Sequence, residues 1–195
     1  MSPDFTEEEK ELIQRISKQA HDTQLKYRGC SQTTLLALQE NLGIGDLWTF
    51  KAASGFTAGV AGKGVGPCGA LLGGMMAIGI EFGRASLEEA GIPREGGQGR
   101  PSNQKYATGL CRELWNKFAA EYGGRWSCFD IQEYAYGRRY DHADPGMEHL
   151  KETGELYDIL SKNACKLTET GARLAAEIIL RERKLVAELG SRHRF

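Results

Sequence analysis

The chain has 195 residues, 41% of them hydrophobic and 26% charged, with 25 Lys+Arg against 26 Asp+Glu for a formal net charge of -1. That length accommodates one domain, read here as 1–195, and the composition excludes a disordered chain, a collagen and a coiled-coil rod. The balanced charge leaves no electrostatic footprint for a nucleic acid or an anionic membrane.

Residues 1–10 are polar and acidic, without the basic-then-apolar order of a secretory signal, so a cytoplasmic location is expected. The most apolar stretch, residues 66–80, is 15 residues long and glycine-rich, short of the roughly 20 that span a bilayer, so no membrane insertion is expected. In a reducing compartment five cysteines, an odd number, read as ligands, catalysts or core residues rather than disulfides.

Taken in chain order, Thr6 to Glu9 fits a capping box, and Leu12, Ile13, Ile16 and Ala20 follow at helical spacing, predicting a first helix over residues 7–27. After Gly29, the pattern Leu35, Leu36, Leu38, Leu42 predicts a second helix over 30–42 with Gly43 as its stop. Residues 47–61, with Trp48, Phe50 and Phe56 among small residues, predict a third. Pro67 opens a run from Cys68 to Gly79 that is apolar nearly all round, the mark of a helix buried on most sides at the centre of the fold.

Residues 91–101 lack apolar periodicity and read as an exposed loop insertion. Ser102 is placed to cap a helix carrying Tyr106, Leu110, Leu114, Trp115 and Phe118, which Gly123 and Gly124 close. Residues 126–140 are aromatic and loosely periodic. Two last helices are predicted, over 146–162 and over 166–189, the second with Leu167, Leu174, Ile178, Leu185 and Leu189 on one face. No alternating strand pattern occurs, so the fold class is all-α, a compact helical bundle.

The cysteines stand at 30, 68, 111, 128 and 165, none in a C-x-x-C pair, so spacing alone names no metal. Cys30, Cys68, Cys128 and Cys165 each fall at a predicted helix start, where unpaired N–H groups and the helix dipole favour thiolate. Four converging starts suit an anionic cluster. Cys111 lies inside a helix next to Leu110 and reads as core, with a substitute ligand role should Cys165 prove remote.

Cys30-Ser31-Gln32, the approach ending in Cys68-Gly69-Ala70-Leu71-Leu72-Gly73, Cys128 and Cys165 together resemble the C-GCAxxG-C-C family of redox-active proteins over about residues 13–182. The most specific part runs from Cys68 to Gly83. The family is similar to the cluster-binding part of split-Soret cytochromes, and the resemblance implies an iron-sulfur cluster of the 2Fe-2S kind held by Cys30, Cys68, Cys128 and Cys165. Electron transfer with an unidentified redox partner protein is favoured over catalysis on a substrate of its own, and whether a substrate binds directly stays open. The chain has no C-x-x-C-H, so covalent haem is excluded, and Pro67 stands where the family pattern has a glycine before the middle cysteine.

Two other classes stay open at this stage: a structural zinc module stapled by the four thiolates, and a metal-free thiol/disulfide enzyme led by Cys68. Gly64 to Gly69 matches G-x-G-x-x-G, but no strand precedes it and Pro67 removes an N–H, which argues against dinucleotide binding. The ten glycines from Gly55 to Gly83 more simply permit close helix approach and N–H donation to sulfur. His142, Asp144 and His149 read as a solvated loop because Pro145 and Gly146 break the segment. Apolar surface at the glycine-rich helix and in residues 126–140 suggests a homodimer.

Overall fold

The structure is a computed structural model that describes residues 5–86, 103–141, 149–150 and 152–192. α1 (Glu7–Tyr27) begins in the expected capping box: the Thr6 hydroxyl accepts from the Glu9 amide at 3.2 Å, and the Glu9 carboxylate accepts from the Thr6 amide at 2.8 Å. Thr6→Ala is expected to lower stability by about 1 kcal/mol, read as a lower urea midpoint at unchanged slope. An unchanged midpoint would mean that tertiary packing alone holds this helix start.

α2 (Cys30–Leu42) runs between Gly29 and Gly43, both in the left-handed region at φ 90° and 67°. α3 (Leu47–Ala52) starts on Asp46, whose carboxylate caps the Thr49 amide at 2.9 Å, and passes into a 3₁₀ turn, Ala53–Phe56. The helix predicted to reach residue 61 therefore ends at Phe56. Beyond it Ala58, Gly59, Val60, Ala61 and Gly62 all have positive φ, between 50° and 74°, which winds the chain left-handed. Backbone bonds hold this turn, among them Gly62 N–H to Thr57 O at 3.1 Å and Gly64 N–H to Ala58 O at 2.9 Å. Three of its residues carry a side chain that disfavours such a φ by about 1–2 kcal/mol each, and those bonds hold it in place.

α4 (Gly69–Phe82) is the predicted central helix. Its fully buried Leu71, Ala77 and Ile78 join Leu35 and Leu38 of α2 in one core. The same core takes in Leu114 and Phe118 of α5 (Asn103–Glu121) and Ile178 and Ile179 of α7 (Glu155–Arg192). Small residues set the spacing. A Cβ on Gly73 would overlap Ser31 O of α2 and come within 3.0 Å of Thr34 Cβ, while one on Gly171 of α7 would meet Ala70 O at 2.7 Å. α4 is thus pressed directly against the backbones of α2 and α7.

α6 (Cys128–Tyr136) is capped by Ser127 and stopped at Gly137, φ 74°. α7 is one continuous helix of 38 residues, not the two expected. The reason lies in the sequence: residues 161–166 hold neither Gly nor Pro, and the break comes earlier, at Gly154 with φ 76°. Leu167, Leu174 and Ile178 are buried as predicted, whereas Leu185 is half exposed and the Leu189 side chain lies outside the described residues.

α7 lies antiparallel along α1, with Ser17 Oγ donating to Glu169 O at 3.3 Å and Lys184 Nζ to Glu9 Oε2 at 2.5 Å. The Arg183 guanidinium grips Glu81 of α4 at 2.8 and 3.0 Å and donates to Leu42 O of α2 at 3.1 Å. The 91–101 loop, the Ser102 cap, His142 and Asp144 fall outside the described residues. Among the described residues there is no strand, only an isolated antiparallel bridge between Pro67 and Ser127, and no helix long and apolar enough to cross a membrane.

Candidate functional site: a three-cysteine cavity

The bridge is what assembles the site. Cys68 N–H donates to Trp126 O at 2.9 Å and Cys128 N–H donates to Gly66 O at 2.9 Å, so the two segments zip together and set Cys68 beside Cys128. Cys68 is the N-cap of α4, Cys128 the first residue of α6 and Cys30 the first residue of α2. Three helix starts therefore converge, as expected for these three cysteines. Gly69 allows it: a Cβ there would overlap Cys30 Sγ and crowd Phe56 O and Ser31 N at 3.0 and 3.1 Å. Gly59 of the left-handed turn has the same function toward Cys128, whose Cβ a Gly59 Cβ would meet at 2.8 Å.

Cys30, Cys68 and Cys128 line one cavity of about 100 Å³. Its remaining wall comes from Gln24 and Arg28 at the end of α1, Ala58 of the left-handed turn, Tyr136 of α6, and Ala164 and Leu167 of α7. Backbone N–H groups surround the sulfurs. The amides of Ala58, Ser31 and Gly69 pull the Cys30 thiol toward ionisation, and those of Ala70 and Leu71 the Cys68 thiol.

Cys128 Sγ accepts instead from the buried side chain of Gln132 at 3.3 Å. The other end of that amide is fixed, because Gln132 Oε1 accepts from Tyr140 N–H at 2.7 Å. Only one orientation of the Gln132 amide satisfies both partners, and it turns N–H toward sulfur.

These donors and the helix dipoles pull the thiols toward ionisation, but burial outweighs them. Cys30 is raised above the ordinary thiol value and Cys68 well above it, the latter also through the neighbouring Cys30 and Cys128. Burial and Cys30 push Cys128 up to about 12. Tyr136 is raised for the same reasons, burial first and then the three cysteines. Helix starts were expected to favour thiolate, and desolvation reverses that at buried Cys68 and Cys128 and at half-buried Cys30. This environment does not suit a nucleophilic cysteine.

Cys165, read from the sequence as opening a helix, lies in the interior of α7 and is fully buried. It does not line the cavity, although Ala164 and Leu167 on either side of it do. The charges that act on its thiol are those of Arg28, Asp22 and Glu169 rather than of the other cysteines. Cys111 is also apart, its Sγ directed to Met75 O at 3.7 Å against α4.

Sequence reasoning passed over Gln132, Tyr136 and Arg28. The first had a signal, since it stands four residues after Cys128 and so one helical turn along the same face.

Three soft sulfur donors line one small, largely apolar cavity. Among the described residues no group of three or more His, Cys, Asp or Glu that could hold a metal ion is found.

The family model described as "Putative redox-active protein (C_GCAxxG_C_C)" matches residues 29–178. No curated protein and no solved structure matches the chain.

Proposed function

The chain belongs to the C_GCAxxG_C_C family of redox-active proteins, and from that premise we propose that Cys30, Cys68 and Cys128 supply three of the four ligands of an iron-sulfur centre of the 2Fe-2S kind for single-electron transfer, the fourth position being left to a non-cysteine ligand. The observation that carries this reading is the convergence of three cysteine-bearing helix starts on one cavity. Such a centre supplies a one-electron couple; the protein supplies ligands, charge compensation and exclusion of water. The three thiols give up their protons as their sulfurs become ligands. The amides of Ala58, Ser31, Gly69, Ala70 and Leu71 and the Gln132 side chain spread the resulting negative charge. Tyr136, Ala164 and Leu167 close the wall against solvent.

Cys165, the fourth cysteine of the family pattern, stays outside the proposed ligand set because α7 places it off the cavity. The deciding measurement is iron, zinc and acid-labile sulfide analysis with a visible spectrum on protein purified without oxygen. Iron and sulfide in equal amounts, with a visible band that bleaches on reduction, support the reading. Zinc without iron would make the site a structural staple, and protein without metal would move the chemistry to the thiols.

Gln132→Leu offers a finer check. Losing the N–H donated to Cys128 Sγ raises electron density on that sulfur, so the midpoint potential of the centre is expected to move to more negative values. Protein-film voltammetry of the two proteins measures this directly, and an unmoved potential would exclude Gln132 from the charge compensation.

A further inference from the structure

The cavity that gathers the three thiols also gathers hydrogen-bond donors of another kind. Gln24 of α1 lines it and is 5% exposed, and its Oε1 accepts from Thr33 Oγ1 at 2.9 Å. That bond turns the N–H groups of the same carboxamide away from Thr33, and no acceptor meets them among the described residues. Tyr136 of α6 brings to the same wall a hydroxyl that makes no hydrogen bond among the described residues. Buried donors of this kind normally have an acceptor, and here the protein does not supply it.

Charge points the same way. Among the described residues Arg28 is the one charged side chain in the wall, and no Asp or Glu lines it. Arg28 Nη1 is buried, and its backbone is held at φ 65° and ψ 179°, a region essentially confined to glycine. The starts of α2, α4 and α6 add the positive ends of three helix dipoles. Burial raises all three thiols above their ordinary value, so near neutral pH no thiolate cancels this potential.

Size narrows the ligand. About 100 Å³ corresponds to the liquid volume of roughly three waters, room for a species of about three or four non-hydrogen atoms.

We infer that this cavity binds a small monovalent anion of about three or four non-hydrogen atoms, held by the Arg28 guanidinium, the Gln24 amide and the Tyr136 hydroxyl. The inference goes beyond the centre proposed above and does not rest on it. An anion and a cluster compete for one space, so the anion site belongs to the chain before any metal is loaded.

The experiment is calorimetric titration of the full chain, purified without added metal, with sodium thiocyanate. Acetonitrile, a neutral rod with the same number of non-hydrogen atoms, is the control. The expected result is one thiocyanate per chain, with acetonitrile at least about tenfold weaker. Arg28→Gln should weaken thiocyanate about tenfold, and Tyr136→Phe, which keeps the ring and its packing, about threefold. Lys26→Gln, at an exposed cation of the same helix, should leave the affinity unchanged. Circular dichroism checks the fold of each variant, and Tyr136→Phe keeps the test decisive should Arg28→Gln fail to fold.

A chain that takes up no thiocyanate overturns the inference. So does binding that Arg28→Gln and Tyr136→Phe leave unchanged, or that Lys26→Gln weakens as much, since either places the ion on the outer surface. Acetonitrile binding as tightly as thiocyanate would make the cavity an apolar hole without anion selectivity. No arm of the test involves iron, so its failure leaves the proposed centre standing.

Discussion

If Cys30, Cys68 and Cys128 hold the proposed centre, serine at any one of them is expected to reduce bound iron to below about a tenth of that in the unsubstituted protein, whereas Cys165→Ser and Cys111→Ser retain it. The reasoning is geometric. The first three sulfurs share one cavity, and losing one leaves two ligands, too few to hold a thiolate centre against water. Cys165 is buried within α7 and does not line the cavity, and Cys111 Sγ is directed to Met75 O. Their hydroxyl variants pay only for placing a polar group in a packed setting, about 1–3 kcal/mol. Iron content by plasma emission and the visible spectrum, measured anaerobically on all five variants, decide the matter. Iron lost from Cys165→Ser but kept in Cys128→Ser would exchange the two assignments.

Gly69→Ala is the second large expected effect. The added methyl overlaps Cys30 Sγ and presses on Phe56 O and Ser31 N, at 3.0 and 3.1 Å. Two of these three neighbours are backbone atoms of other elements, so relief requires α2 and α4 to move apart. Overpacking of that kind costs about 1–3 kcal/mol, and here it also moves a proposed ligand. The expected result is a lowered thermal midpoint together with weakened metal uptake. Gly79→Ala, also inside α4 but with no atom within 4 Å of the added methyl, should leave metal uptake unchanged and raise the midpoint slightly. Equal behaviour of the two variants would show that close approach of α2 and α4 is not what forms the cavity.

Much of the scaffold was legible because local signals agree with tertiary structure. The capping box at Thr6, Gly43 at the end of α2, and Pro67 before an all-round apolar run each punctuate the chain where the helices begin or end. Cys30, Cys68 and Cys128 were legible as helix starts through Gly29, Pro67 and Ser127.

Cys165 misled because no residue marks a boundary there. Two helices were expected, over 146–162 and 166–189, but one continuous helix spans residues 162–166. The left-handed turn was not legible for a stronger reason. Ala58, Val60 and Ala61 oppose positive φ, so local propensity points away from the observed conformation, which hydrogen bonds within the turn hold in place. Residues that depart from their own preference next to a cavity are those expected at a functional site.

The Pro67–Ser127 bridge also bears on how the protein comes to be made. It closes a loop of about sixty residues, and Cys30 reaches the pair only after α2 has docked on α4. No local fragment of the chain contains a usable site, so a ribosome must extend the polypeptide past residue 128 before the three thiols can meet. Assembly of the three-thiol cavity is therefore a late event, coupled to tertiary closure, and a chain halted before α6 holds Cys30 and Cys68 without the third thiol.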